Sequence, residues 1–417
     1  MNHRIKPIPG GITAARGFQA ADCAAGIKYQ NRTDMAMICS QVPCTAAGTY
    51  TSNIVKAAPV LWDRDIIRKH HQAQAVVINA GIANAATGET GLRLCRETAE
   101  LTAKVLGLDP TAVLLGSTGV IGPNIPLDRI RFGVETMAGR LSESMEAGTA
   151  ASRAIMTTDT VNKECAVEFF LPAASGDGEV PVRLGGMSKG SGMIHPNMCT
   201  MLGYLTCDCA ISAELLQKAL STVVQDTFNM ISVDGDTSTN DTLLLLANGL
   251  AENRPISEED DSYRLFLEAL FTVCRTLAIR MAGDGEGATH LMEMRVIGAD
   301  TKEHARVLAR SVVSSSLVKA MVFGRDANCG RILCALGYAG VPFDPDRVDL
   351  FLVGKEASLC FCRDGRVLDF DEALALSLLS EKEVRFLADL KIGDQEATAW
   401  GCDLTYDYVK INGDYRS

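Results

Sequence analysis

The stretch "MSKGSGMIHPNMCTMLGYLTCDCA", Met187–Ala210, decides how the rest of the chain is read. A lysine between small residues leads through two glycines and a proline into MLGYLTCDCA, a run of strand composition. At the junction stands Thr200, where a buried strand would more comfortably carry valine. Upstream, CAVEFFLP and EVPVRLGGMSKG are strand-like as well, and the AASGDGE between them has hairpin composition. Two strands are therefore joined through a loop whose glycines Gly190 and Gly192 allow unusual dihedrals and whose Pro196 fixes one.

Outward from that junction the pattern is mixed. Toward the N-terminus, AVVINAG (Ala75–Gly81) and AVLLGSTGVIG (Ala112–Gly122) are short β runs ending in glycine turns. GLRLCRETAELTAKVLG repeats its apolar positions every three or four residues, and DRIRFGVETMAGRLS does the same, so both are expected to be helical. Toward the C-terminus, SAELLQKALSTVVQDTFN is a predicted helix with Ser212 as N-cap and Glu214 in its first turn. DDSYRLFLEALFTVCRTLAIRMAG predicts a long helix closing at Gly283, and TKEHARVLARSVVSSSLVKAMVFG a further single helix. VDLFLVG, ASLCFCRDG and EVRFLADLKIG are strand-like. Strands and helices in blocks imply α/β layers with a mixed sheet. A chain of 417 residues exceeds one ordinary core, so two lobes are expected.

The formal charge of -11 argues against nucleic acid and against a polybasic membrane anchor, since phosphate binding needs a basic face. The N-terminal MNHRIKPIPGGITAARGFQA has no apolar core of signal-peptide length, and TLLLLANGLA is about half the length of a membrane span. The fourteen cysteines are scattered. Cys207/Cys209 and Cys360/Cys362 are C-x-C pairs, whereas zinc ligands come as C-x2-4-C. Free thiols in a reducing cytosol are the expectation, with no metal and a cytoplasmic location.

GSTGVIG (Gly116–Gly122) lacks the lysine of a phosphate-binding P-loop. It reads as a plain turn or as a turn whose N–H groups form an oxyanion hole. In GDGEGATH (Gly283–His290), Asp284 and Glu286 would repel phosphate and attract an ammonium group; a solvated helix-terminal loop is the bland alternative. DGDTSTNDT (Asp234–Thr242) fails as an EF-hand, with Thr239 where glycine is needed and Leu245 where glutamate is needed. It reads instead as a passage from a polar cleft into a buried element, with Asn240 and Asp241 available to hold neighbouring backbone. No G-x-S-x-G elbow occurs, and Ser191 has no base nearby in sequence. That leaves Thr200. A threonine hydroxyl becomes a useful nucleophile when its own α-amine, titrating near 8, takes its proton. For an internal threonine the preceding peptide bond must first be cut, and the hydroxyl can attack the Cys199 carbonyl if the backbone is strained and the oxyanion stabilised.

KGSGMIHPNMCTML resembles the self-cleavage site of the ornithine acetyltransferase family, the glutamate N-acetyltransferases of arginine biosynthesis, in which an Ala-Thr junction within KGSGMIAPNMAT is cut autocatalytically. GSTGVIG, IMTTDTVNKE, SVDGDTSTNDTLLLLANG, GDGEGATHLMEMRVIGA, VFGRDANCGRILCALGYAG and GCDLTYDYVKINGDYRS agree in order and spacing, so the resemblance runs from about Pro7 to Ser417. It implies that Thr200 is the nucleophile and new N-terminus, and that Thr118 and Gly119 are the oxyanion pair. Thr157 or Thr158, Lys189, Thr200, Glu286, Asn412 and Ser417 are implied to contact substrate. It implies cleavage between Cys199 and Thr200 into an α chain (1–199) and a β chain (200–417), usually assembled as α2β2. The implied fold is a two-lobed mixed-sheet α/β fold shared with self-cleaving aminopeptidases. The implied reaction is ping-pong transfer of acetyl from N2-acetylornithine to glutamate. No cofactor is implied, and acetyl-CoA is at most a co-substrate.

The chain departs from the family pattern at four positions. Cys199 and His195 stand where the family has alanine, Cys329 where it has tryptophan, and Ser417 where it has threonine. None removes a catalytic group. The rivals are an amidase or aminopeptidase of the same nucleophile class, with water as acceptor, a related acetyltransferase of a specialised pathway, and an uncleaved relative acting by interaction alone.

Overall fold

The computed structural model describes residues 4–195 and 201–414. These form two compact units interleaved along the chain. One comprises 4–190, 201–225 and 237–277; the other 191–195, 226–236 and 278–414.

The first unit is built on nine described strands. Their spatial order is Lys6–Ile8, Lys163–Pro172, Glu179–Lys189, Leu202–Cys207, Thr242–Ala247, Met35–Tyr50, Gln72–Asn79 and Val113–Ser117, with Phe18–Cys23 also pairing Met35–Tyr50. The sheet is mixed: Leu202–Cys207 runs parallel to Thr242–Ala247 and Gln72–Asn79 parallel to Val113–Ser117, while the other pairs are antiparallel. Both faces are covered, which explains the uninterrupted apolar runs. Ile38, Val76, Ile78 and Leu114 enter one core; Met37, Ala75, Val77, Val113 and Leu115, one residue out of phase, enter the other. Helix Gly88–Leu106 seals the second core with Cys95, Ala99 and Ala103, spaced by four. The predicted hairpin is present, with Lys163 opposite Ser188 and Pro172 opposite Glu179.

The second unit carries seven described strands in the order Ile231–Ser232, Gln395–Cys402, Leu291–Ala299, Glu383–Asp389, Asp349–Val353, Ser358–Arg363 and Arg366–Val367, again mixed. The single helix expected over 301–324 is two, Lys302–Ser314 and Ser316–Gly324, bent by 56°. Ser315 causes the break. It leaves the helical region (φ -71°, ψ 116°), and its hydroxyl accepts the N–H of Val318 as an N-cap. Elsewhere the predicted helices hold. Ser212 Oγ accepts the Leu215 N–H at the head of Ala213–Gln225, and Asp261–Gly283 ends at the expected glycine. Among the described residues no single helix is long and apolar enough to cross a membrane, no group of three or more His, Cys, Asp or Glu could hold a metal, and none of the thirteen cysteines forms a disulfide.

Candidate active site

The described site residues predicted from sequence fall into one cluster in each unit, and each cluster has its own chemistry.

In the first unit, strand Val113–Ser117 delivers the glycine turn. Thr118 N–H donates to Asn79 O at 3.0 Å and Val120 N–H to Gly81 O at 3.1 Å, so the turn is laced to the neighbouring loop. With its N–H spent, what Thr118 can offer an oxyanion is its hydroxyl. Gly119 adopts φ 129°, and a Cβ there would lie 2.2 Å from the Gly81 carbonyl carbon, so only glycine fits. Asn240 Nδ2 donates to Ser117 O at 2.8 Å, the backbone-holding role expected of that residue. Asp241 contributes its carbonyl, accepting the Thr51 N–H. Strand Glu179–Lys189 ends beside this turn. Lys189 Nζ donates to Thr118 Oγ1 at 3.2 Å and to Thr157 Oγ1 at 2.9 Å. Of the two threonines left open by sequence, it is therefore Thr157 whose hydroxyl meets Lys189, while Thr158 is half-buried beside it.

Two residues beneath this cluster escaped the sequence reading. Asp159 Oδ1 accepts Lys163 Nζ and the Gly190 N–H, each at 2.7 Å, and Asp159 Oδ2 accepts the Thr157 N–H at 3.1 Å. Both side chains of this ion pair are fully buried. Burial alone would raise the Asp159 carboxyl; the Lys189 and Lys163 ammonium groups and the Gly190 N–H outweigh it and hold it at about 2. The one sequence signal was the position of both residues inside IMTTDTVNKE.

In the second unit, Ser191–Ile194 is tied down by acidic residues. The N–H groups of Met193 and Ile194 donate to the Asp234 carboxylate at 2.6 and 2.9 Å. Ser191 Oγ donates to Asp284 O at 2.7 Å, and Glu286 N–H to Ser191 O at 3.0 Å. The backbone approaches Glu286 so closely that a Cβ on Gly192 would sit 2.4 Å from its carboxylate. Asn412 Nδ2 donates to Glu286 Oε2 at 2.6 Å, which joins two predicted substrate contacts. Met193 stands at φ 56°, in the left-handed region that favours glycine. His195 Nδ1 lies 3.1 Å from Ser232 Oγ, and its Nε2 lies 3.2 Å from Arg310 Nη2. Because the guanidinium can only donate, Nε2 accepts and the proton sits on Nδ1. Burial, then the Arg310 charge, outweigh the opposing Asp236 and push this imidazole down to about 4. Cys199, Thr200 and Ser417 lie outside the described residues.

The ArgJ family matches residues 19–417. An arginine biosynthesis bifunctional protein ArgJ of Symbiobacterium thermophilum is 52% identical over 412 residues, covering 98% of this chain and 99% of that protein. That of Caldanaerobacter subterraneus subsp. tengcongensis is 46% identical over 410 residues, with the same coverage. Among solved structures, the arginine biosynthesis bifunctional protein ArgJ of Bacillus halodurans is 42% identical, spans 50% of this chain and 96% of its own, and superposes with a TM-score of 0.47. Matched over nearly its whole length by the family and by relatives of about one-half identity, this chain belongs to the ArgJ family.

Proposed function

We infer that this protein transfers an acetyl group from N2-acetyl-L-ornithine to L-glutamate in arginine biosynthesis, through an acetyl ester on Thr200 exposed by self-cleavage after Cys199. The observation that carries the reading is the Lys189 cluster. One buried ammonium group donates to the hydroxyl of Thr118 and to that of Thr157, in a chain of the ArgJ family. Since the Thr118 oxygen accepts from Lys189, its own proton can turn toward a developing oxyanion, alongside the Gly119 N–H.

The chemistry runs in two balanced halves. Thr200 Oγ attacks the acetamide carbonyl while its α-amine takes the hydroxyl proton. The tetrahedral oxyanion collapses, the C–N bond breaks, and ornithine leaves with that proton. The amine of glutamate then attacks the ester, and N-acetylglutamate leaves as Thr200 Oγ recovers its proton. Lys189 suits the substrate carboxylate and Glu286, with Asn412, the ammonium of ornithine. Ser417 adds a hydroxyl near the C-terminus. Acetyl-CoA is at most an alternative donor. The mature enzyme is an α2β2 assembly of chains 1–199 and 200–417, working in the cytoplasm, where cysteines without disulfides persist.

The test is direct. Purified protein should run as two fragments, the C-terminal one beginning Thr-Met-Leu-Gly, and should release ornithine from N2-acetylornithine beyond one equivalent per active site only when glutamate is supplied. Thr200→Ala should remain one 44.6 kDa chain with activity down by more than about a thousandfold. Acetate release independent of glutamate would establish the amidase rival, and an uncut, fully active Thr200→Ala protein would reject the nucleophile.

A further inference from the structure

We propose that Lys163 and Asp159 form a buried positioning pair in which Lys163 absorbs the charge of Asp159, so that Asp159 can anchor the Lys189 cluster without cancelling the charge Lys189 presents to a substrate carboxylate. The inference deepens the proposed function and rests on it for the identity of the substrate.

Asp159 has a geometric task. Its two carboxylate oxygens collect the N–H of Gly190, the residue after Lys189, and the N–H of Thr157, whose hydroxyl Lys189 holds. One side chain therefore sets the spacing of two segments that are about thirty residues apart in sequence but both end at the Lys189 ammonium. A carboxylate does this better than an amide, because it accepts at both oxygens.

That choice brings an electrostatic cost. A lone buried carboxylate beside Lys189 would form a neutral pair with it and draw Nζ away from the two threonine hydroxyls. Lys163 prevents this. It opens strand Lys163–Pro172, opposite Ser188 in the hairpin register, and so arrives one residue away from Lys189 on the adjacent strand. Its Nζ takes Asp159 Oδ1 at 2.7 Å and the Val161 carbonyl at 3.2 Å, with no solvent exposure. A fully buried lysine is rare without such a partner. The guanidinium of Arg32, which donates to Met156 O at 2.6 Å and Thr157 O at 3.3 Å, adds a further positive charge to the same backbone. Counted over Lys163, Lys189 and Asp159, the cluster keeps one net positive charge. It is built to meet an anion.

The arrangement predicts that a second mutation repairs the first. Lys163→Met fills the same volume without charge, so Asp159 should turn its field on Lys189. The KM for N2-acetylornithine should rise roughly tenfold, the size of one charge-assisted contact. Asp159→Asn/Lys163→Met removes both charges while its amide oxygen still accepts one of the two backbone N–H groups, and should bring that KM back to within about threefold of wild type. A merely structural role gives the opposite, a double variant no better than the single. The same series run with N-acetylputrescine, which is N2-acetylornithine without its carboxylate, should show KM ratios near one throughout. Lys163→Arg, which keeps the charge, should stay close to wild type with both substrates.

A double variant as impaired as Lys163→Met, or an equal KM rise for the substrate lacking the carboxylate, overturns the proposal. If Lys163→Met alone fails to accumulate as folded protein, the double variant decides: wild-type KM supports the pair, and a tenfold rise rejects it. Wild-type protein without any glutamate-dependent transfer would instead reject the proposed function, so the two failures are distinguishable.

Discussion

The Lys189 cluster of the first unit and the Glu286 cluster of the second are made from opposite materials. Around Lys189 the functional groups are side chains, Lys189 and Thr118 at strand ends and Thr157 in a loop, and their supports are the buried ions Asp159 and Lys163. Around Glu286 the supports are backbone. The N–H groups of Met193 and Ile194 bind Asp234, the Glu286 N–H binds Ser191 O, and glycine at 192 lets the main chain approach the carboxylate. One cluster is cationic and suits a carboxylate; the other is anionic and suits an ammonium. A buried cation needs a compensated counter-charge to stay useful, whereas the acids of the second cluster are met by uncharged donors, the Asn412 amide at Glu286 and backbone N–H groups at Asp234.

The sharpest way to break this contrast is Gly192→Ala. A methyl 2.4 Å from the Glu286 carboxylate must displace it, and the carboxylate cannot move without stretching its bond to Asn412. Because the clash is with the far end of a flexible side chain, folding should lose less than about 1 kcal/mol. The KM for N2-acetylornithine should nevertheless rise about 10–100-fold. Steady-state kinetics beside thermal melts check this; a large fall in melting temperature with unchanged KM would show that Gly192 serves packing alone.

On the side-chain-built cluster the counterpart is Asn240→Ala. It deletes the donor to Ser117 O and the acceptor for Thr239 Oγ1, both buried, beneath the Thr118–Gly119 turn. Stability should drop by about 1–2 kcal/mol and, on the proposed oxyanion role of the turn, kcat about tenfold, with KM little changed. A variant with wild-type kcat would detach Asn240 from the turn's function.

The smallest effect is expected at His195, a position where the resemblance implies alanine. An ordinary histidine titrates near 6.5. With the folded value at about 4, the folded protein holds fewer protons than the unfolded one between these limits. Its stability therefore rises with pH across that window, is complete above 6.5 and is lost as pH falls toward 4. His195→Ala should flatten this slope by up to about 3 kcal/mol between pH 6.5 and 4 while leaving stability at pH 8 nearly unchanged. Denaturant melts at both ends of the window measure it, and an unaltered slope would show that the imidazole does not titrate against Arg310.

Much of the fold was legible because local signals agreed with tertiary demands. Continuous apolar runs such as AVVINA are strands of a sheet covered on both faces, and the four-residue spacing of Cys95, Ala99 and Ala103 marks the face of a core helix. The exception was 301–324, where the apolar period continues across SSS and hides a break made by one hydroxyl. A period reports which face is buried, not whether the backbone bends.

The site divides along a similar line. Sequence by itself determined the residue types and their segments: the glycine turn with Thr118 and Gly119, the lysine at 189, the acid at 286, and Thr200 at a junction that a strand would not choose. It also left Thr157 and Thr158 equal. Only the tertiary structure decided that Thr157 carries the hydroxyl on Lys189, that Asn240 supports the turn from about 120 residues away, and that Asp159 and Lys163 lie beneath the Lys189 cluster. The physical reason is that a side chain's chemistry is local and can be read from its type. The charge it presents depends on which groups folding buries within a few ångströms of it, and strand register sets that.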